Sequence, residues 1–269
     1  MAGVERTRSA AEASIDIEGV DHVFPGGVRA VSNVSLRVSS GQFVSIVGPS
    51  GCGKTTLLNL MAGLVEGHSG TIRVCGAAPR AGRHDVAYML ARDCLFPWRT
   101  ALQNVMLGGE FRGIEKEARR ARALHLLSRV GLVDFGDHYP KALSHGMRQR
   151  VALARTFSLD SGILLMDEPF GALDAQTKLQ LEDVLLDLWS AEQRTVVFIT
   201  HDLAEAVTMS DRVVVMSARP GRIVADISIP LPRPRSVRAL QKDPLYHDTY
   251  SKVWALLEQG MSEDVVATA

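Results

Sequence analysis

An α/β fold, with a parallel sheet carrying helices on its faces, is what this sequence predicts on three observations. Strand-like and helix-like stretches alternate along its 269 residues. A glycine-rich string, Gly48 to Thr56, joins an apolar run to a helical one. A second apolar run, Ile163 to Met166, ends in two adjacent carboxylates. Alternation of this kind is the signature of parallel strands linked by helical crossovers, and the absence of an internal repeat means one such unit.

Ile15 to Phe24 and Val34 to Val38 read as strands separated by the turn signal Pro25-Gly26-Gly27. Phe43 to Val47 is a mostly apolar strand, and Leu57, Leu58, Leu60 and Met61 place a helix over Thr56 to Ala62. Thr71 to Val74 and Val86 to Met89 follow as strands, then a helical block around Ala118 to Val130. Past the carboxylates the pattern is helix (Lys178 to Glu192), strand (Thr195 to Thr200), helix (Leu203 to Ser210) and strand (Arg212 to Met216). Pro230, Pro232 and Pro234, interleaved with Arg233 and Arg235, break regular structure, and Trp254, Leu256 and Leu257 indicate a short closing helix. Residues 1–14 are polar and read as a mobile lead-in.

The string Gly48-Pro49-Ser50-Gly51-Cys52-Gly53-Lys54-Thr55-Thr56 fits Gly-x-x-x-x-Gly-Lys-Ser/Thr in the strand-loop-helix setting that this motif requires. Its glycines let successive backbone N–H groups turn onto an anion at a helix N-terminus. Lys54 is then expected to reach the outer phosphates of a nucleotide, and Thr55 to ligate magnesium. Asp167 stands at the carboxyl end of the apolar run, where open α/β sheets bind ligands, and is the expected magnesium partner. Glu168, expected to be held extended by Pro169, is placed to orient or deprotonate an attacking water. Cys52 lies near a helix N-terminus, where the dipole favours thiolate, so alkylation is expected to block ATP binding and ATP to protect, with a small space-filling residue as the alternative.

Leu143-Ser144-His145-Gly146-Met147, followed by Arg148-Gln149-Arg150 and a helical run to Arg155, resembles the signature motif of the ATP-binding-cassette family. Gly146 lies 21 positions before Asp167, which leaves room for a helix and a turn. The usual first glycine of the motif is His145 here, and Met147 stands where many members have Gln. The resemblance covers about residues 15–229 and implies an ATPase with a P-loop NTPase core and parallel sheet, an N-terminal antiparallel β subdomain and an inserted α-helical subdomain at about 92–157, followed by an extension at 230–269. It also implies that Ser144 and Gly146 contact the γ-phosphate of the ATP held by another subunit.

Further positions follow from the same resemblance. Phe24 resembles the aromatic that stacks on adenine, with an ordinary strand aromatic as the alternative. His201 resembles the histidine that senses the γ-phosphate, and Asp174 the aspartate that links two active sites, while also serving as a helix N-cap. Ala91 stands where the family carries a glutamine that touches magnesium, so water is expected to complete the metal shell. Pro97-Trp98-Arg99-Thr100 and Val215 to Ile223 are similar to importer ATPases for nitrate, sulfonates, taurine and related compounds. An exposed Trp98-Arg99 pair would anchor a membrane subunit, with a tryptophan packed under a loop as the alternative.

Composition bounds the partners. With 30 basic and 30 acidic residues the formal charge is +0, which excludes the overall footprint of a nucleic-acid binder. Arg119, Arg120 and Arg122 follow Glu115 and Glu117 and read as a solvated helix face. No run approaches the roughly 18 apolar residues needed to span a bilayer, and the first residues lack the apolar core of a signal peptide. Three cysteines without a Cys-x-x-Cys pair fit a reducing compartment. The resemblance implies ATP and Mg2+ as cofactors, and a homodimer or paired ATPase subunit on the cytoplasmic face of the inner membrane. Its implied partners are two membrane permease subunits and an extracytoplasmic solute-binding protein. A non-transport cassette ATPase, or a nucleotide-binding regulator with little turnover, remain the alternative functions.

Overall fold

The computed structural model describes residues 13–171 and 173–266. Two sheets and a block of helices make up the chain. Strand β1 (Ala13–Val23) pairs antiparallel with β2 (Arg29–Ser39) on one side and with β4 (His68–Val74) on the other. Ala13 and Ser14 thus already belong to a strand, and residues 1–12 of the expected lead-in lie outside the described residues.

The second sheet has six strands in the order β5-β6-β7-β3-β8-β9. β3 (Phe43–Val47), β5 (Val86–Met89), β6 (Ile163–Asp167), β7 (Thr195–Ile199) and β8 (Arg212–Met216) run parallel. β9 (Ile223–Ser228) closes the edge antiparallel to β8; the sequence pattern did not disclose it. Every residue of β3 and β7 is buried, the mark of strands covered on both faces.

Alternation along these strands separates two cores. Phe43, Phe198, Leu164 and Met166 point into a helical core with Trp189 and Phe157. Val44, Ile46, Val197 and Leu165 point the other way, into a core shared with α1 (Lys54–Ala62) and the antiparallel sheet. Between β5 and β6 the chain forms α2 (Ala101–Phe111), α3 (Lys116–Arg129) and α4 (His145–Ser158). α2 escaped the apolar pattern because Gly108 and Gly109 dilute it. Its readable signal was the capping box, in which the Thr100 hydroxyl accepts from Gln103 N and the Gln103 side chain accepts from Thr100 N.

After β6 come α5 (Ala175–Glu192), α6 (Leu203–Met209), α7 (Val237–Leu240) and α8 (Pro244–Val266). The closing helix is thus long, at 23 residues, and its Tyr246 and Val253 pack with Val47, Val213 and Val215. The Pro/Arg segment before it is tied down by its arginines. Arg235 donates to the carbonyls of Ser210 (2.7 Å) and Thr208 (3.0 Å) at the end of α6, satisfying acceptors that a helix C-terminus leaves open. Arg233 pairs with Asp211 (2.8 Å) and stacks 3.9 Å from the Trp189 ring.

One buried carboxyl conflicts with its surroundings. Glu182 on α5 is 4% exposed, and burial, reinforced by the Glu205 carboxylate, pushes its pKa up to about 8. The native state therefore holds a proton between about pH 4.5 and 8 that the unfolded chain releases, and this contribution to stability falls as pH rises through that window. Unfolding in urea at pH 5 and pH 8 should show Glu182→Gln to be less pH-sensitive than wild type, and to gain stability relative to it at pH 8.

Candidate functional site

Register brings the site together. Ile46 of β3 pairs with Ile199 of β7, which pairs with Asp167 of β6, so three neighbouring strands end in one row. The glycine-rich loop leaves the first strand, His201 follows the second and Glu168 the third.

Gly53 shows why the loop needs its glycines. Its φ is +110°, and a Cβ there would lie 2.6 Å from the Ala30 carbonyl oxygen, so no side chain fits. The loop ends on α1, which has no side-chain N-cap. In contrast, α2, α4, α5 and α6 are capped by Thr100, Ser144, Asp174 and Asp202. The first-turn amides of α1 are left for an anion instead. Lys54 is buried, its ammonium donating to the carbonyls of Gly48 (2.8 Å) and Pro49 (2.9 Å), acceptors that a phosphate can replace.

Thr55 Oγ1 donates to Asp167 Oδ1 at 3.1 Å. Burial raises the Asp167 pKa, opposed by the Thr55 hydrogen bond. A desolvated carboxylate and a hydroxyl beside an anion cradle are hard oxygen donors, the set that fits magnesium carried by a nucleotide. Among the described residues no group of three or more His, Cys, Asp or Glu could hold a metal without such a ligand. Glu168 Oε2 lies 2.9 Å from His201 Nδ1, so these expected residues touch one another.

Two expectations about this region are corrected. Glu168 is not extended: its φ is +44°, fixed by hydrogen bonds from its own N–H to Ile199 O (2.9 Å) and from Gly171 N–H to its carbonyl (3.2 Å). A bulky residue in the left-handed region is strained, and here the strain sits at the residue bound to His201. Cys52 is fully buried, and burial outweighs the nearby Lys54 cation, so its thiol pKa is raised rather than lowered. Brief alkylation should therefore modify exposed Cys75 and Cys94 while sparing Cys52, as read by peptide mass mapping.

A second constellation lies at the start of α4. Ser144 Oγ accepts from Met147 N (3.2 Å), which leaves its own hydrogen free to donate. Gly146 packs so closely on α5 that a Cβ would meet Thr177 Cγ2 at 2.5 Å. Asp174 caps α5 through Thr177 N (3.0 Å), and Ala172 beside it lies outside the described residues. Phe24 stands apart, just past β1, 38% exposed and edge-on to buried His22 at 4.7 Å.

Sequence reasoning missed how the loop after β5 is held. The exposed Ala91 offers its carbonyl to Gln149 Nε2 (3.2 Å), which also donates to Pro169 O. Arg148 pairs with Asp93 (3.0 Å), and Arg155 donates to the carbonyls of Asp93 and Cys94 (2.7 and 2.8 Å). Buried Asn104 accepts from Phe96 N (2.8 Å) and donates to Arg99 O (3.0 Å), clamping a loop whose Trp98 is 68% exposed. Trp98 is thus not packed under a loop.

Comparison with known proteins settles the family. The model of the ABC transporter family matches residues 31–171. The chain is 39% identical to the nitrate import ATP-binding protein NrtD of Synechocystis over 95% of its length and 99% of that protein. It is also 39% identical to the taurine import ATP-binding protein TauB of Rhizobium johnstonii over 90% and 93% of the two chains. The chain belongs to the ABC transporter family. As an ABC ATPase it aligns with the cassette MJ0796, solved as a dimer in a post-hydrolysis state with ADP and phosphate. That match has a TM-score of 0.71 and 30% identity, over 81% of this chain and all of the other.

The contact of Gly146 with Thr177 in this ABC ATPase is directly testable. Gly146→Ala should lower the free energy of unfolding by an amount typical of overpacking, about 1–3 kcal/mol. Thr177→Ser, which removes Cγ2 but keeps the amide that Asp174 caps, should restore most of it in the double variant, as read by denaturant unfolding.

Proposed function

We propose that this chain is the ATP-hydrolysing subunit of an importer for a small solute of nitrate, sulfonate or taurine type. The observation that carries the catalytic part is the continuous contact from Thr55 through Asp167 to Glu168 and His201 at the ends of three adjacent strands. Near-full-length similarity to two import ATP-binding proteins supports the transport part.

The backbone amides of Gly48 to Thr56 receive the phosphates, and Lys54 exchanges its loop carbonyls for phosphate oxygens. Thr55 and Asp167 would hold magnesium, which when bound neutralises charge on the phosphates. Ala91 supplies no side-chain oxygen to that shell. Glu168 takes the proton of the attacking water, and His201, oriented through Nδ1 by Glu168, donates from its other nitrogen to the terminal phosphate. Phe24, exposed beside the fold's entrance strand, offers its face to adenine.

Hydrolysis on this reading needs a second ATPase subunit, whose nucleotide meets the free hydroxyl of Ser144 and the amide end of α4 at Gly146, with Asp174 between the two sites. Closure of the pair would move Trp98 and its clamped loop against a membrane permease. A solute-binding protein outside the membrane would deliver the solute. No helix among the described residues is long and apolar enough to cross a membrane, so the chain would sit peripherally, on the cytoplasmic face of the inner membrane.

Glu168→Gln should retain ATP binding, accumulate as an ATP-bound dimer and lose about 10²-fold or more in turnover. The same variant, reconstituted with its permease in vesicles, should stop ATP-driven uptake of nitrate or taurine that the wild type supports. Steady-state hydrolysis near wild type would remove Glu168 from the proton-accepting role, and absence of any solute uptake by the wild-type assembly would remove the importer assignment.

A further inference from the structure

The helices between β5 and β6 form an open cavity of about 260 Å3 that none of the candidate nucleotide-site residues line. Val105, Met106, Ile114 and Ala118 form its apolar wall, and Arg119 and Arg122 project from α3 into it. These two arginines are three residues apart and so share one helix face. They are not the solvated face that the sequence pattern indicated: both are partly buried.

Each guanidinium is only partly satisfied. Arg119 donates through Nη1 to the Ile114 carbonyl (3.2 Å), while its Nε is buried and, among the described residues, without a partner. Arg122 donates through Nη2 to Glu192 (2.9 Å) and to the Phe157 carbonyl (3.2 Å), and its Nε is likewise buried and unpaired. Buried donors left unpaired are unfavourable, and the two arginines that carry them line the same concavity. Asp160, the acidic residue in the lining, is 80% exposed and lies 3.4 Å from Arg194, so it does not supply the missing acceptors.

A shallower groove of about 310 Å3 shares Met106 and Arg119 with the cavity and adds Arg99 and Lys116 at its rim. Its acidic residue, Glu110, is taken by Arg99 at 2.6 Å. The approach is therefore basic, which favours entry of an anion.

From this arrangement we propose that the cavity binds a small amphipathic anion, an aryl or short alkyl sulfonate or carboxylate. Its charged oxygens would accept from the free N–H groups of Arg119 and Arg122, and its apolar body would lie against Met106, Ile114 and Ala118. Guanidinium groups match planar or trigonal anions in this way. The volume, at the small end of ligand sites, suits a single ring and excludes a nucleotide. The site is separate from the phosphate loop, so the proposal stands or falls independently of the importer assignment.

The test is calorimetric titration of benzenesulfonate into the full chain saturated with ADP, which blocks the phosphate loop. Saturable single-site binding is expected, weakened about tenfold or more by Arg119→Gln and about tenfold when neutral benzenesulfonamide replaces the anion. Ala118→Trp, which fills the cavity, should abolish it. Arg119 is chosen because Arg122 also holds Glu192 and Phe157, and equal unfolding midpoints for wild type and Arg119→Gln exclude a folding defect. No saturable heat up to roughly 10 mM, or equal binding by Arg119→Gln or by the neutral analogue, overturns the proposal.

Discussion

Everything at the candidate site depends on the register of three buried parallel strands. Because β3 and β7 are apolar on both faces, their alternate residues fill two different cores, one helical and one shared with the antiparallel sheet. A slip of one residue would exchange the two sets and empty both cores of their matching side chains. That penalty holds Ile46, Ile199 and Asp167 in one row, and with them the glycine loop, His201 and Glu168. Site geometry is in this sense a by-product of hydrophobic packing some distance below it.

The helix α4 is the second organising element. Ser144 caps it and its first turn carries Gly146, closed against Thr177 of α5. Its next turn carries Arg148 and Gln149, which hold Asp93, Ala91 and Pro169. Arg155 then grips the carbonyls of Asp93 and Cys94. Pro169 follows Glu168 directly, and the loop beyond Cys94 carries Trp98. A rigid helix thus joins the carboxylate strand to the exposed tryptophan through hydrogen bonds at both ends. This is a contiguous physical route, of the kind needed if the two places are to respond to one another.

The last part of the chain stabilises the sheet from the far side. α8 covers Val213 and Val215, and the arginines before it close the end of α6 and stack on Trp189. Trp189 in turn donates through its indole to the Arg194 carbonyl (2.7 Å) and meets Phe43 edge-on. Proline in this segment keeps it from extending the sheet, so its arginine side chains, rather than backbone ladders, make the attachment.

Features carried by local backbone chemistry were legible without coordinates. The glycine spacing of the phosphate loop, the apolar strands ending in Asp167 and before His201, and the Ser144 and Asp174 caps are short-range requirements, each met within a few residues. What tertiary structure alone decided was set by neighbours distant in sequence. Glu168 turns left-handed because Ile199, thirty-one positions on, takes its amide hydrogen. Cys52 is inert-looking rather than activated because the sheet and α1 bury it. Ala91 has no polar side chain, yet its carbonyl is held by Gln149, 58 residues away. Arg119 and Arg122 looked solvated because charge pattern along a helix reports its own turns only, whereas their burial depends on α2 and the end of α4 folding over them. Sequence determines which groups are present and which backbone turns they permit, but hydrogen-bond partners and burial are properties of the assembled neighbours.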